Sequence, residues 1–254
     1  MVKLIPMAGA GKRFSEQGYT VPKPLLPING RYMVLSAADA LPKSDQTIFI
    51  CQKDHINQFG LNKALDSYGK IVSIEGVTEG QASTCLEGCI NIVPEEELLI
   101  GASDNGMIYD ADLFEKLKKE ADILVFGFKD NPTVLKNPEA YGWIICDENG
   151  IISQISVKKP ISKTPLNDWA ITGAFYFKKS KYFTAAAKEM IYQNRRINNE
   201  FYIDECINDA INMGLKVLLM PVKFYICWGT PDDYETYLYW QRFFTKEQPN
   251  FLEV

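Results

Sequence analysis

Val2-Lys3-Leu4-Ile5-Pro6-Met7-Ala8-Gly9-Ala10-Gly11-Lys12-Arg13-Phe14 decides how the rest of the chain is read. Residues 2–7 form a short, nearly all-apolar run, as a strand is when both of its faces are covered. Four small residues follow at once. They let the backbone approach a ligand closely, and their N–H groups can then face an anion. Arg13 adds a planar fork that matches phosphate oxygens. The same residues also read as a tight strand-to-loop turn, and two glycines alone do not separate the two readings. A Walker A loop is excluded, because Pro6 stands where its first glycine belongs. The dinucleotide GxGxxG pattern is excluded because Phe14 replaces its third glycine.

Outward from this stretch, apolar runs at 46–51, 70–74, 98–102 and 123–128 alternate with helical patterns at 33–41, 56–68, 82–92 and 112–120. That order predicts an α/β fold of three layers, Rossmann-like, with helices on both faces of a mostly parallel sheet. The rhythm then changes. Residues 141–146 and 151–158 read as a hairpin turned by Asp147-Glu148-Asn149-Gly150. Strands are expected at 174–177, 216–220 and 223–227, and helices at 181–193 and 202–213. Thr230-Pro231-Asp232-Asp233 opens a last helix, with a capping threonine, proline at the first position and acids in the first turn. No linker or repeat interrupts the chain. We therefore expect one domain over 1–254, with a β-rich insertion after the fifth strand. Ligands of open α/β sheets sit outside the carboxyl ends of the strands, so site residues should follow strands.

Composition narrows the chemistry. The chain has 254 residues and a formal net charge of −5, which argues against a nucleic-acid partner. His55 is the single histidine, which removes His-based triads and most zinc sites. Cys51, Cys85, Cys89, Cys146, Cys206 and Cys227 contain no CxxC pair and read as reduced, buried thiols. No run approaches the ~20 apolar residues of a membrane helix. The opening residues are too short and too broken by Pro6 to read as a signal peptide. A cytoplasmic protein with no membrane partner is expected. Pro22-Lys23-Pro24 is stiff, so Lys23 is either a positioned charge or a solvated loop lysine.

Ala8-Gly9-Ala10-Gly11-Lys12-Arg13 followed by Pro22-Lys23-Pro24-Leu25 resembles the signature of the nucleotidyltransferases that activate sugar phosphates and related metabolites. Further similar segments are Glu79-Gly80-Gln81-Ala82-Ser83, Ser103-Asp104-Asn105, Tyr141-Gly142, Lys158-Lys159-Pro160, Gly173-Ala174-Phe175-Tyr176-Phe177, Asn199-Glu200-Phe201-Tyr202 and Gly229-Thr230-Pro231-Asp232-Asp233. The resemblance implies a nucleotide-binding half at about 1–130 and an acceptor-binding half at about 131–254. It places Arg13, Lys23 and Lys159 as the catalytic cations. Ala8, Gly9, Ala10, Gly11, Lys12, Gln81, Ala82, Ser83 and Ser103 would hold a nucleoside triphosphate. Tyr141, Gly142, Lys158, Gly173 and Glu200 would line the pocket of a phosphorylated small-molecule acceptor. Asp104 would bind Mg²⁺, although Asn105-Gly106 after it also suits a turn or a helix cap.

Two departures from the family pattern matter. Cys227 stands where many relatives carry a second metal-binding aspartate, which leaves the metal to Asp104, phosphates and water. Lys158 replaces a glutamate that meets a sugar hydroxyl in hexose-activating relatives, and a lysine suits a more anionic acceptor. Glu200 and Asp204 would then face a positive group on the acceptor, with Asp204 reading more readily as a surface helix acid. Gly18-Tyr19 and Cys227-Trp228-Gly229-Thr230 are similar to the bacterial capsule-associated branch, which implies CTP and a non-hexose acceptor such as phosphoglutamine. The rival readings are a hexose-1-phosphate nucleotidyltransferase and a non-catalytic nucleotide-binding subunit. Trp143 and Trp169 lie near acceptor-side motifs and are pocket candidates. His55 reads as a surface or half-buried residue. Tyr234, Tyr237, Tyr239, Trp240, Phe243 and Phe244 have the spacing of a core stripe or of a subunit contact that would make a homodimer.

Overall fold

Leu4 and Ile5 are neighbours on the first strand and both are fully buried, but in different cores. Successive strand residues point to opposite faces, so this strand must be covered on both sides. The computed structural model describes residues 1–246. In chain order the elements are β1 (Val2–Pro6), α1 (Lys12–Ser15), β2 (Pro27–Ile28), β3 (Arg31–Tyr32), α2 (Met33–Asp39), β4 (Gln46–Gln52), α3 (Lys53–Phe59), α4 (Leu61–Leu65), β5 (Lys70–Ile74), α5 (Gln81–Cys89) and β6 (Leu98–Ile100). They continue as β7 (Asn105–Tyr109), α6 (Ala111–Glu120), β8 (Ile123–Phe128), β9 (Gly142–Cys146), β10 (Ile152–Val157), β11 (Trp169–Phe177), α7 (Ser180–Tyr192), α8 (Ile203–Asn212), β12 (Val217–Cys227) and α9 (Pro231–Lys246).

The main sheet runs β5-β4-β1-β6-β11-β8-β12-β7. β5, β4, β1 and β6 are parallel, with Leu4 opposite both Ile48 and Ile100. β11 runs against β6 and β8, while β8 and the first half of β12 are parallel again. This is the mostly parallel sheet that the alternating pattern predicts. One face is covered by apolar side chains of α5, α7 and α8, including Ala82, Phe183, Met190 and Ile207. The other is covered by α2, α3, α4 and α6, through Val34, Ile56, Leu65 and Phe114. The expected insertion is present: β9 and β10 form a hairpin, and β9 joins the sheet along β11.

Four expectations change. The helix expected over 56–68 is two helices, because Gly60 turns left-handed at φ 62° between α3 and α4. The strands expected at 216–220 and 223–227 are one strand, β12. Its first half pairs with β8 and its second half runs antiparallel to β7, with a register shift between Val222 and Phe224 where it changes partner. Asn105-Gly106 is not a turn but the start of β7, since pairing with Cys227 and Ile226 outweighs the local preference. The strand expected at 174–177 begins at Trp169.

The aromatic stripe on α9 splits. Tyr234 is buried with Phe14 and Trp228, whereas Tyr239, Trp240 and Phe244 are exposed. Thr230 caps α9 as expected, its Oγ1 accepting from Asp233 N at 3.2 Å. All six cysteines are free, and four of them are buried. No helix among the described residues is long and apolar enough to cross a membrane.

Candidate active site

The sheet holds β1 as far as Met7, whose N–H donates to Ile50 O at 2.9 Å. Beyond it the chain leaves the sheet. Gln52 Nε2 ties the turn back by donating to Ala8 O at 2.8 Å and to Gly9 O at 3.4 Å. The N–H groups of Gly9, Ala10 and Gly11 meet no acceptor among the described residues. Gly11 adopts φ 61°, a left-handed conformation that glycine takes without strain. The far end of the loop is pinned by Phe14, which is buried edge-on against Tyr19 and Tyr234. A third glycine there would lose this anchor.

Lys23 follows Pro22 on a short helical turn whose Pro24 and Leu25 are buried. Its Nζ reaches Asp104 Oδ2 at 2.5 Å, with both side chains about a quarter exposed. Asp104 lies between β6 and β7, and its carbonyl accepts from Trp228 N at 2.8 Å. Gly229 packs closely beside it, since a Cβ there would sit a tight 3.0 Å from Asp104 Oδ2 and 3.3 Å from Cys227 Sγ. The position where many relatives carry a second acid therefore lies near Asp104, and it presents a thiol. Burial, then the Asp104 charge, pushes that thiol up to about 12, so it is neutral at physiological pH. The described residues contain no group of three or more His, Cys, Asp or Glu arranged to hold a metal. One partly exposed carboxylate beside an anion cradle nevertheless fits Mg²⁺, which commonly takes one or two carboxylates, substrate phosphates and water.

Across the cleft, Lys158 adopts φ 57°, a conformation uncommon outside glycine. This turns its side chain inward. Its Nζ donates to Ala140 O and lies 5.2 Å from the centre of the Tyr202 ring. Burial chiefly lowers its pKa, with the Arg13 charge adding to the effect and Asp204 opposing it. Gly142 makes room for the Asp204 carboxylate, because a Cβ at that position would collide with Asp204 Oδ2. Gly173, at φ 88°, lies in the irregular stretch of β11 where the register shifts. Asn105 Nδ2 donates to Thr172 O at 2.7 Å and so ties that stretch to β7.

These pieces face one cleft of about 1150 Å³. Ala8, Gly9, Ala10, Gly11, Lys12, Arg13, Lys23, Gln81, Ser103, Asp104, Tyr141, Gly142, Lys158, Gly173 and Glu200 all line it. Three expected residues do not. Ala82 is fully buried, and its N–H donates to Phe201 O at 2.9 Å. Ser83, half-buried on α5, is not among the lining residues. Lys159 is exposed outside the cleft, its carbonyl accepting from Ser156 Oγ at 2.7 Å. Of the two adjacent lysines, Lys158 lines the cleft and Lys159 does not. Trp143 is fully buried, and Trp169 packs under Lys129, so neither is a pocket residue. His55 is half-buried at the cleft edge.

Sequence reasoning missed Thr172 and Tyr225 as lining residues, and of the two readings of Asp204, acceptor-facing and surface acid, the structure places it in the cleft. Burial raises the pKa of Asp204 above the usual carboxylate value. A raised folded-state pKa contributes stability below the unfolded pKa and loses it as pH rises through the folded value. Asp204→Asn should therefore raise Tm at pH 7, with the advantage shrinking as pH falls toward 4. Thermal melts across that range check it, and an Asn variant that melts lower at pH 7 would contradict the burial argument.

The nucleotidyl transferase family model matches residues 2–240. A curated relative, the bifunctional protein GlmU of Caldicellulosiruptor saccharolyticus, is 24% identical over 221 residues, covering 87% of this chain and 46% of the relative. The chain thus spans about half the length of that relative. Among solved structures, the nucleoside-diphosphate-sugar pyrophosphorylase of Vibrio cholerae RC9 superposes with a TM-score of 0.78 at 21% identity, covering 94% of this chain and 100% of that one. The inositol-1-phosphate CTP transferase of T. maritima superposes with a TM-score of 0.71 at 16% identity, covering 96% of each chain. At these identities the two structures speak for the fold.

Proposed function

The chain belongs to the nucleotidyl transferase family, and from that premise we propose that it moves CMP from CTP onto the phosphate of a small non-hexose acceptor, releasing pyrophosphate. The observation that carries this reading is the meeting of the 8–13 loop, Lys23 and Asp104 on one cleft wall, opposite Lys158. Such a cleft suits a reaction between two anions. An acceptor phosphate oxygen attacks the α-phosphorus. The new P–O bond forms as the bond to the β-phosphate oxygen breaks, and pyrophosphate takes that electron pair. The attacking oxygen is already an anion, so no general base is needed, in keeping with a chain whose one histidine sits at the cleft edge.

The work is positioning and charge neutralisation. The free amides of Gly9, Ala10 and Gly11 cradle the triphosphate. Lys23 exchanges its bond to Asp104 for one to phosphate, so its charge is paired before and after the nucleotide binds. Arg13 and Lys158 repel each other across the site, and an anion placed between them relieves that repulsion. Asp104 would hold Mg²⁺, with Cys227 too weakly acidic and too soft to share it. When bound, the ion supplies charge stabilisation at phosphate oxygens. Gln81 reads the base from the first position of α5.

The preference for CTP and a non-hexose rests on Lys158 and on the T. maritima neighbour, an inositol-1-phosphate CTP transferase. Phosphoglutamine is the favoured acceptor, in the service of bacterial surface polysaccharide. The test is pyrophosphate release with each of the four triphosphates, Mg²⁺ and a panel of phosphorylated acceptors, with and without EDTA. Turnover with CTP and a non-hexose phosphate, lost in EDTA and restored by Mg²⁺, is expected. Turnover with hexose-1-phosphates and UTP, dTTP or GTP would favour the hexose reading, and no release with any pair would remove the enzyme.

A further inference from the structure

Between α7 and α8 the chain makes a small hairpin that the catalytic reading leaves unused. Asn198 and Asn199 are both left-handed, at φ 50° and 63°. They join Ile197 and Glu200, whose backbones exchange hydrogen bonds at 3.0 and 2.9 Å. Two consecutive positive φ values are what a two-residue hairpin turn requires, and asparagine tolerates them best after glycine. The hairpin leads through Glu200 and Tyr202 to Asp204, so it forms one wall of the acceptor side.

This strap is fastened to a segment more than a hundred residues earlier. Phe201 N donates to Glu79 O at 2.8 Å, and Ala82 N donates to Phe201 O at 2.9 Å. Gly80 lets the two backbones lie against each other, since a Cβ there would sit 2.5 Å from Phe201 N. Arg196 closes the junction with its whole fork. Nη2 donates to Glu79 Oε1 at 2.7 Å, Nε to Asn194 Oδ1 at 2.7 Å and Nη1 to Asn199 O at 3.3 Å. Its guanidinium carbon lies 4.0 Å from the centre of the Phe201 ring. Gln81, on the nucleotide side, follows immediately after Glu79-Gly80.

We infer that Arg196 is a positioning residue that sets the acceptor wall in register with the nucleotide-side segment. Glu79 is 65% exposed, and an ion pair at such a surface adds little stability. The planar fork instead fixes direction, joining both sides of the hairpin and the opposite segment at once. Loosening it lets Glu200, Tyr202 and Asp204 drift from the acceptor while the 8–13 loop and Lys23 stay in place. The kinetic part of this inference rests on the transferase reading above.

The test is Arg196→Ala beside Arg196→Lys. With alanine, the amides of Phe201 and Ala82 should exchange hydrogen at least about tenfold faster, and acceptor KM should rise about tenfold, a smaller loss than the roughly hundredfold that a misplacement of about 1 Å can cause. Nucleotide KM should stay within about twofold and Tm within a few degrees, as for other exposed substitutions. Arg196→Lys, which keeps the charge and loses the fork, should fall between. Unchanged protection of the two amides, or both KM values rising together, would overturn the inference. Should the wild-type chain transfer no nucleotide at all, the transferase reading fails, and the exchange rates still decide whether Arg196 fastens the two segments.

Discussion

Lys23→Ala should lower kcat/KM for pyrophosphate release by about a thousandfold, since a unit charge ~4 Å from a phosphate at an effective dielectric near 20 is worth about 4 kcal/mol, or three powers of ten in rate. In the free protein that charge is spent on Asp104, at 2.5 Å. The pair is partly exposed, so its loss should change Tm little. The penalty appears only when a triphosphate needs the ammonium and finds none. Lys23→Arg should recover part of the rate, because charge returns on a longer and differently shaped head. Steady-state kinetics of the three proteins check this. Turnover unchanged in Lys23→Ala would show that the lysine neutralises Asp104 and does nothing more.

The second large effect separates two adjacent lysines. Lys158→Ala should lower kcat/KM by about 10²–10³, the usual loss for one preorganised donor to developing charge. Lys159→Ala should change it by no more than about twofold, as for other exposed substitutions. The difference arises from one dihedral angle, the positive φ that turns Lys158 into the cleft and leaves Lys159 in solvent. The pH profile gives an independent reading. Lys158 must be protonated to act, and burial lowers its pKa. Activity should therefore fall as pH rises through a value below the ordinary lysine range. In Lys158→Arg the guanidinium stays charged, and the fall should move to higher pH. A Lys159→Ala enzyme as damaged as Lys158→Ala would contradict the placement of both side chains.

These two lysines also show where the sequence stops being readable. The alternation of strands and helices in the first half, the glycine loop and the capped last helix follow from local pattern, and the structure keeps them. The choice between Lys158 and Lys159 does not, because it depends on a left-handed residue that no composition rule marks. Asp204 is similar. Its helix pattern allows a surface acid, and its place in the cleft depends on Gly142, more than sixty residues earlier, lacking a Cβ. β7 hides behind an Asn-Gly pair that ordinarily turns the chain, and only the returning β12 shows that it does not. The break at Gly60 was also missed, although a glycine within a helical pattern is the signal that could have marked it. Cys227 was legible as a departure, and its place near Asp104 gives that departure a physical meaning, a neutral thiol beside the acid proposed to hold the metal.

The most direct measurement is a crystal structure of the protein soaked with Mg²⁺ and a non-hydrolysable CTP analogue. The expected density has the phosphates against the amides of Gly9, Ala10 and Gly11, Lys23 released from Asp104 toward a phosphate oxygen, and the ion on Asp104. Phosphates lodged elsewhere, with the Lys23–Asp104 pair intact, would contradict it.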